Sequence, residues 1–369
     1  SIEDARCGGN SGCVETGAFG KEAYILTGYF NLTKVLEITL NNGLDSRTGE
    51  RLGIETGDPR NFSSYSELFE AFRKQLHHFL DIKVRGNNII ERIYARHMPA
   101  PFLSLLIDDC IAKGRDYNDG GPRYNTTYIM AVGPGSSTDS LAAIRYHVFD
   151  RRDLTMAALL DALAADFKGH EKTRQMLLNK TPKYGNDDDY ADSILTDLFN
   201  AFYDEVNGRK NTKGGCYRVN YLSTTCHVYF GSVTGATPDG RKANEPLSDG
   251  ISPVQGADRR GPTAVLKSAA RMDHARTGGT LLNQKFTPQL LEGEDGIDKL
   301  AHLVRSYFKL DGHHIQFNVV TAETLRAAQQ NPDKYRDLIV RVAGYSDYFC
   351  DLTTALQNEI IARTEHQEI

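Results

Sequence analysis

The stretch Arg341-Val342-Ala343-Gly344-Tyr345-Ser346, close to the C-terminal end of the 369-residue sequence, sets a glycine among residues that otherwise favour a strand. Glycine's ordinary use at such a place is a backbone position with positive φ, or a close approach that a side chain would block. Alone, the stretch reads as a loop or a strand end. Close to the N-terminal end, Ser11-Gly12-Cys13-Val14-Glu15 puts a thiol and a carboxylate two residues apart. In an extended segment those two side chains share one face.

Between these stretches the sequence alternates helical and strand-like segments. Apolar spacing predicts a helix over residues 21–41, with Tyr24, Leu32, Val35, Leu36 and Leu40 on its buried side. Residues 64–98 read as one long amphipathic helix or two in succession, stopped by Pro99 and Pro101. Shorter helices are expected over 102–113, 136–147 (opened by a Ser/Thr/Asp cap), 155–165, 194–207, 323–328 and 353–363. Strands are expected at Val148-Phe149, across the β-rich composition of 216–230, and over 314–320 and 338–342. Residues 128–133 fit a strand or a helix start, whereas 16–20 and the glycine-rich 234–241 read as loops. Such alternation indicates an α/β fold with a sheet or barrel at its centre.

Composition removes several function classes. A net charge of -5 with mixed signs leaves no basic footprint for nucleic acid. No apolar run approaches membrane-spanning length, and Ser1-Ile2-Glu3-Asp4 does not open a secretion signal, so a soluble cytoplasmic protein is expected. The six cysteines, Cys7, Cys13, Cys110, Cys216, Cys226 and Cys350, form no Cys-x-x-Cys pair and no compact disulfide framework. They read as reduced thiols, mostly structural, with one or two reactive. Asp187-Asp188-Asp189 lacks the spacing of a calcium loop, and Asp189 or, better placed, Asp192 is expected to cap the following helix. Residues 234–241 lack phosphate-loop spacing.

Taken together, Gly-Cys-Val-Glu at residues 12–15 and Arg-Val-Ala-Gly-Tyr-Ser at 341–346 resemble the glycyl radical enzymes, whose pyruvate formate-lyase-like members carry both motifs in this order. Thr237-Pro238-Asp239-Gly240-Arg241, Gly278-Gly279-Thr280, Asn283-Gln284-Lys285-Phe286 and His314-Ile315-Gln316-Phe317-Asn318-Val319-Val320 extend the resemblance through the middle of the chain. It implies the C-terminal half of a ten-stranded α/β barrel with surrounding helices. Residues 1–325 would be that half of the barrel, with the catalytic cysteine loop at its start, and 326–369 the glycyl radical segment. The N-terminal half of the enzyme is then expected to lie outside this chain and to pair with it.

The residue types suit that chemistry. A glycine Cα radical is flanked by an amide nitrogen and a carbonyl and has no side chain to oppose planarity. A cysteine S–H is comparable in strength to the C–H bonds concerned, so hydrogen transfer runs both ways. The resemblance implies catalytic roles for Gly344 as radical store, Cys13 as relay and Glu15 as proton-transfer group, with Gly344 and Cys13 a few ångströms apart at loop tips inside a closed cavity. Without that pairing, Glu15 reads as a cap or a solvent-facing loop residue.

Gly12, standing where formate-producing members carry a second cysteine, disfavours two-cysteine acyl transfer. A single Cys followed by Val-Glu looks like the eliminating members, and the continuation Thr16-Gly17-Ala18-Phe19-Gly20 is similar to the trans-4-hydroxy-L-proline dehydratases. The implied reaction is radical dehydration of trans-4-hydroxy-L-proline to (S)-1-pyrroline-5-carboxylate. Substrate contacts are implied for Tyr29, Leu222 and Thr224, the last two pointing inward from one strand. The alternatives are elimination from 1,2-propanediol, glycerol or isethionate. The expected partners are an S-adenosylmethionine and iron–sulfur activating enzyme and a second copy of the enzyme as a homodimer. No dissociable cofactor or metal is expected beyond the radical on Gly344. Oxygen sensitivity of that radical implies an anaerobic bacterial host.

Overall fold

The computed structural model describes residues 1–368, and within them the expected α/β architecture is realised. The strands are β1 (Gly8–Ser11), β2 (Glu15–Ala18), β3 (Glu22–Asn31), β4 (Tyr124–Val132), β5 (Cys216–Asn220), β6 (Leu282–Phe286), β7 (Ile315–Val319), β8 (Ile339–Arg341), β9 (Ser346–Tyr348) and β10 (Glu365–His366). β3, β4 and β5 pair in parallel, as do β6 and β7, with β10 on the other side of β6. A parallel bridge between Tyr221 and Thr280 joins the two sheets. There Tyr221 N–H donates to Gly279 O at 2.9 Å and Leu281 N–H to Tyr221 O at 3.1 Å. The result is one run of five parallel strands, β3-β4-β5-β6-β7, which does not close on itself among the described residues.

Parallel neighbours require long crossovers, and helices supply them. Leu32–Leu40 and the 33-residue Tyr65–His97 lie between β3 and β4; Pro134–Ala143 and Asp189–Val206 lie between β4 and β5. Alternation along the strands then assigns two faces. Ile129, Ala131, Tyr217, Val219, Leu282 and Phe286 enter the main core beneath the helices. Tyr128 and Met130 point the other way, into a smaller apolar cluster with Val14, Leu222, Leu281 and Ala343. A third cluster, of Val320, Leu325, Ala328, Val340, Val342, Phe349, Leu356 and Ile360, gathers the C-terminal elements.

The long helix begins at its Ser64 cap and ends before Pro99, and Met156–Ala164, Ala322–Gln330 and Thr354–Ala362 form where helices were expected. Other expectations are corrected. Residues 21–41 are a strand followed by a helix: the Tyr, Ile, Thr and Phe run pairs with β4, and Asn31 then caps the helix by accepting from Lys34 N–H at 2.9 Å. Residues 16–20 are not a loop throughout, because β2 reaches Ala18. Val148-Phe149 is no strand; it belongs to a π-helical stretch, Ile144–Asp150, continuing the preceding helix. An apolar pair that short does not distinguish the two by periodicity. That preceding helix opens at Gly133 and Pro134 without a side-chain cap. Residues 102–113 hold two short pieces, Pro101–Leu106 and Cys110–Lys113.

Only Cys216–Asn220 of the β-rich stretch is a strand, and Cys226–Ser232 is helical. Thr224, with φ +46°, turns the chain between them. Asp188, rather than Asp189 or Asp192, caps the Asp189–Val206 helix, accepting from Tyr190 N–H at 3.0 Å. Asp187 and Asp189 pair with Lys267 and Arg271, so the acidic run serves the fold. The helix Gly293–Lys309 escaped the sequence reading, although Leu300, Leu303 and Tyr307 follow helical spacing. No helix among the described residues is long and apolar enough to cross a membrane.

Candidate active site

β1 and β2 form an antiparallel hairpin in which Ser11 faces Glu15, leaving Gly12, Cys13 and Val14 as its turn. Gly12 adopts φ +62° to make that turn. Cys13 and Glu15 therefore do not share a face of one extended segment. Instead the Glu15 side chain folds back over the turn, and its Oε2 accepts from the N–H groups of Cys13 at 2.8 Å and Val14 at 2.9 Å. Glu15 is buried, so it is neither a helix cap nor a solvent-facing residue.

A second hairpin meets the first tip to tip. β8 and β9 pair with Arg341 opposite Ser346, and Val342 N–H donates to Tyr345 O at 2.9 Å across the turn. Gly344 sits in this turn at φ +81°. A Cβ placed on Gly344 would lie 3.0 Å from Cys13 Cα and inside contact distance of Cys13 Cβ and Sγ. Both the backbone conformation and the space thus demand glycine. The two tips are half-buried rather than enclosed, since the strand run beside them is open.

Amide side chains hold the second hairpin. Gln316 Oε1 on β7 accepts from Gly344 N–H at 3.0 Å and from Arg341 Nη2 at 3.1 Å. Asn318 exchanges a pair of 2.8 Å bonds with the backbone of Arg341. The Gln316 amide continues to Asn283, and Asn283 to Asp249. Arg363, paired with Glu359, donates to Val342 O at 3.1 Å. None of these supporting roles was assigned from sequence; the one available signal was the recurrence of amides at alternate positions of a strand.

Tyr29, Leu222 and Thr224 lie in the neighbourhood of Cys13, and Leu222 and Thr224 are not placed there by strand alternation. Leu222 lies past the end of β5, packed with Val14, Met130 and Leu281, against which Cys13 and Tyr29 also pack. The Tyr29 and Thr224 hydroxyls are 2.8 Å apart. All six residues singled out in the sequence are thereby brought into one region.

Burial pushes the Cys13 thiol up from its usual range, the Glu15 carboxylate adds to the rise, and Arg341 opposes it. The group is thus held as S–H, which favours hydrogen-atom exchange over nucleophilic attack by a thiolate. Burial also raises the Tyr29 phenol, keeping it a neutral donor. Among the described residues no group of three or more His, Cys, Asp or Glu is arranged to hold a metal.

The family model for pyruvate formate lyase-like proteins matches residues 1–231, and the glycine radical model matches 247–350. Trans-4-hydroxy-L-proline dehydratase of Clostridioides difficile is 61% identical over 365 residues, covering 99% of this chain and 46% of that protein. The crystal structure of hydroxyproline dehydratase from Clostridioides difficile with trans-4-hydroxy-L-proline bound superposes with a TM-score of 0.98, covering 100% of this chain and 46% of the other. The glycerol-bound B12-independent glycerol dehydratase from Clostridium butyricum gives 0.96 at 42% identity, covering 100% and 47%. The chain spans about half the length of the curated relatives it matches.

Proposed function

Because this chain belongs to the pyruvate formate lyase-like family of glycyl radical proteins, we propose that it carries the radical relay of a dehydratase acting on trans-4-hydroxy-L-proline. The observation that carries this reading is the contact between Cys13 and Gly344, which leaves no room for a side chain on the glycine. Identity of 61% with the hydroxyproline enzyme, against 42% with the glycerol enzyme, favours the substrate.

In this reading a hydrogen atom passes from Cys13 S–H to a radical at Gly344 Cα. The sulfur then takes hydrogen from substrate C5, beside the ring nitrogen. The C4 hydroxyl departs as water, with one proton delivered to the leaving oxygen and one lost from the substrate; Glu15 serves one of these transfers. Cys13 returns hydrogen to the product radical, and the enamine tautomerises to (S)-1-pyrroline-5-carboxylate. Sulfur recovers hydrogen from Gly344 and the radical is stored again. Tyr29 and Thr224 present hydroxyls to the substrate, and Leu222 supplies an apolar wall.

The reading extends to the whole enzyme. Residues 1–325 contribute one half of a ten-stranded barrel and 326–369 the glycyl radical segment, the remaining strands coming from an N-terminal half. The ends of the strand run at β3 and β7 supply edges for that pairing. An S-adenosylmethionine and iron–sulfur activating enzyme installs the radical, and two copies form a homodimer.

The test is an anaerobic product assay of the activated full-length enzyme on trans-4-hydroxy-L-proline, 1,2-propanediol, glycerol and isethionate. Pyrroline carboxylate that disappears with Cys13→Ser and Gly344→Ala is the expected result. Turnover of another compound alone would reject the substrate, and absence of a glycyl radical signal after activation would reject the mechanism.

A further inference from the structure

The cysteine hairpin is docked against residues 278–280 and the loop that enters β7. Thr16 N–H donates to Gly278 O at 2.8 Å. A Cβ on Gly278 would strike the Tyr128 ring, and one on Gly279 would strike Val14 O. Backbone therefore meets backbone along this seam, and two side chains reach the hairpin at Thr16: Tyr128 O–H donates to Thr16 O at 3.5 Å, and His313 Nε2 lies 2.7 Å from Thr16 Oγ1, while its Nδ1 lies 3.4 Å from Thr280 N.

The hydrogen-bond directions along this line follow from the groups in it that can only accept or only donate. Ala269 O, 3.0 Å from His274 Nε2, only accepts, so that nitrogen carries the hydrogen. Burial pushes His274 down to about 4, so the ring is neutral and its Nδ1 accepts from the Thr280 hydroxyl at 2.8 Å. Thr280 N–H in turn donates to His313 Nδ1, so the neutral His313 carries its hydrogen on Nε2 and donates to Thr16 Oγ1. The Thr16 hydroxyl is left to donate to Asn10 Oδ1 at 2.8 Å, across the β1–β2 hairpin. Thr280 donates both ways, through its hydroxyl to His274 and through its N–H to His313, so on the hairpin side the bonds run in one sense from Thr280 to Asn10.

We propose that His313, as a neutral Nε2–H donor to Thr16, is a positioning residue that clamps the Cys13 hairpin in register with Gly344. It touches neither reacting atom. Its function follows from the tip-to-tip arrangement: the separation of Cys13 and Gly344 is set by how each hairpin is docked, and this is the shortest of the side-chain bonds that dock the first. The proposal rests on the radical-relay reading for its purpose, but the clamp itself is testable without radical chemistry.

The experiment measures alkylation of Cys13 by iodoacetamide in the intact, unactivated protein, read by peptide mass spectrometry. Exposed Cys7 serves as the reactive control and buried Cys110 as the control for folding. Loss of one hydrogen bond predicts about three- to tenfold faster alkylation of Cys13 in His313→Phe. Gln keeps a donor near the Nε2 position, so His313→Gln is expected to react at the wild-type rate. Thr16→Val is expected to match His313→Phe, with no further gain in the double variant. Equal rates in His313→Phe and wild type would overturn the clamp. Equal acceleration by Phe and Gln would overturn the donor role. Should His313→Phe also expose Cys110, Thr16→Val decides by the same criterion. In the activated enzyme, His313→Phe is expected to lower kcat while retaining the glycyl radical signal. A protein that forms no radical, yet shows the predicted alkylation pattern, would reject the relay and leave the clamp standing.

Discussion

The backbone N–H of Gly344 donates to Gln316 Oε1 at 3.0 Å, and Arg341 Nη2 reaches the same oxygen at 3.1 Å. One amide side chain on a parallel strand thus fixes both the glycine and the arginine that opens its hairpin. Replacing Gln316 by Leu strands the Gly344 N–H and the Asn283 Oδ1. The expected cost is about 1–3 kcal/mol, concentrated locally, since an unpaired buried polar group loses its full desolvation term. Hydrogen–deuterium exchange should show faster exchange over residues 339–348 with little change in the helix Tyr65–His97.

Gly344→Ala tests the contact with Cys13. The left-handed backbone alone penalises a Cβ by roughly 1–2 kcal/mol, and the methyl must also displace the Cys13 side chain. The variant should unfold at lower denaturant concentration than wild type and carry no radical after activation. Wild-type stability would show that the hairpins do not meet as described.

For Glu15 two substitutions separate structure from chemistry. Glu15→Gln retains an oxygen able to accept from both Cys13 N–H and Val14 N–H, so the hairpin should persist while turnover falls at least about 100-fold through loss of a proton-transfer group. Glu15→Ala removes the acceptor as well and should cost a further ~1–3 kcal/mol of stability. Circular dichroism melts paired with the product assay distinguish the two effects.

The ionisation of Cys13 has a predictable sign. Burial and the Glu15 carboxylate disfavour its thiolate, so alkylation plotted against pH should have a midpoint above that of an ordinary thiol. Glu15→Gln removes a negative neighbour and should lower the midpoint; Arg341→Met removes a positive one and should raise it. An unchanged midpoint in both variants would separate the thiol electrostatically from either group.

Asp192, mispredicted as a cap, offers a stability test away from the site. Burial raises it from 3.8 to about 7, while Ser268 Oγ donates to its Oδ2 at 2.9 Å. The folded state binds this proton more tightly than the unfolded chain, so the native residue loses stability as pH rises from 3.8 to about 7. Asp192→Asn keeps an acceptor for Ser268 and removes the charge. Its advantage should open above pH 3.8 and be complete above about 7, as read from urea midpoints across pH.

How much of this was legible beforehand follows from what kind of signal each feature leaves. Gly344, Cys13 and Glu15 are visible because their residue types are unusual in combination and lie in short local motifs. Leu222 and Thr224 lie near Cys13 for a different reason from the one expected: a β-rich composition suggests a continuing strand, whereas pairing ends with the Tyr221 bridge and the buried Leu222 and Ser223 draw on similar composition without it. The 21–41 segment failed similarly, because scattered apolar residues of a mostly half-buried parallel strand mimic helical spacing when a helix follows directly. Gln316, Asn318 and His313 act through long-range contacts, and nothing local distinguishes a buried amide that holds a loop from one that faces water.

The tip-to-tip hairpins have one more consequence. The Gly344 Cα belongs to the main chain, and the Cys13 Sγ is removed from it by a single rotatable bond. The gap between the two atoms is consequently almost free of side-chain entropy: one χ1 torsion separates a matched pair from a mismatched one. Substitutions that reshape neighbouring side chains without shifting either turn should leave the exchange distance untouched, so the pocket around this pair can be rebuilt while the pair keeps its geometry.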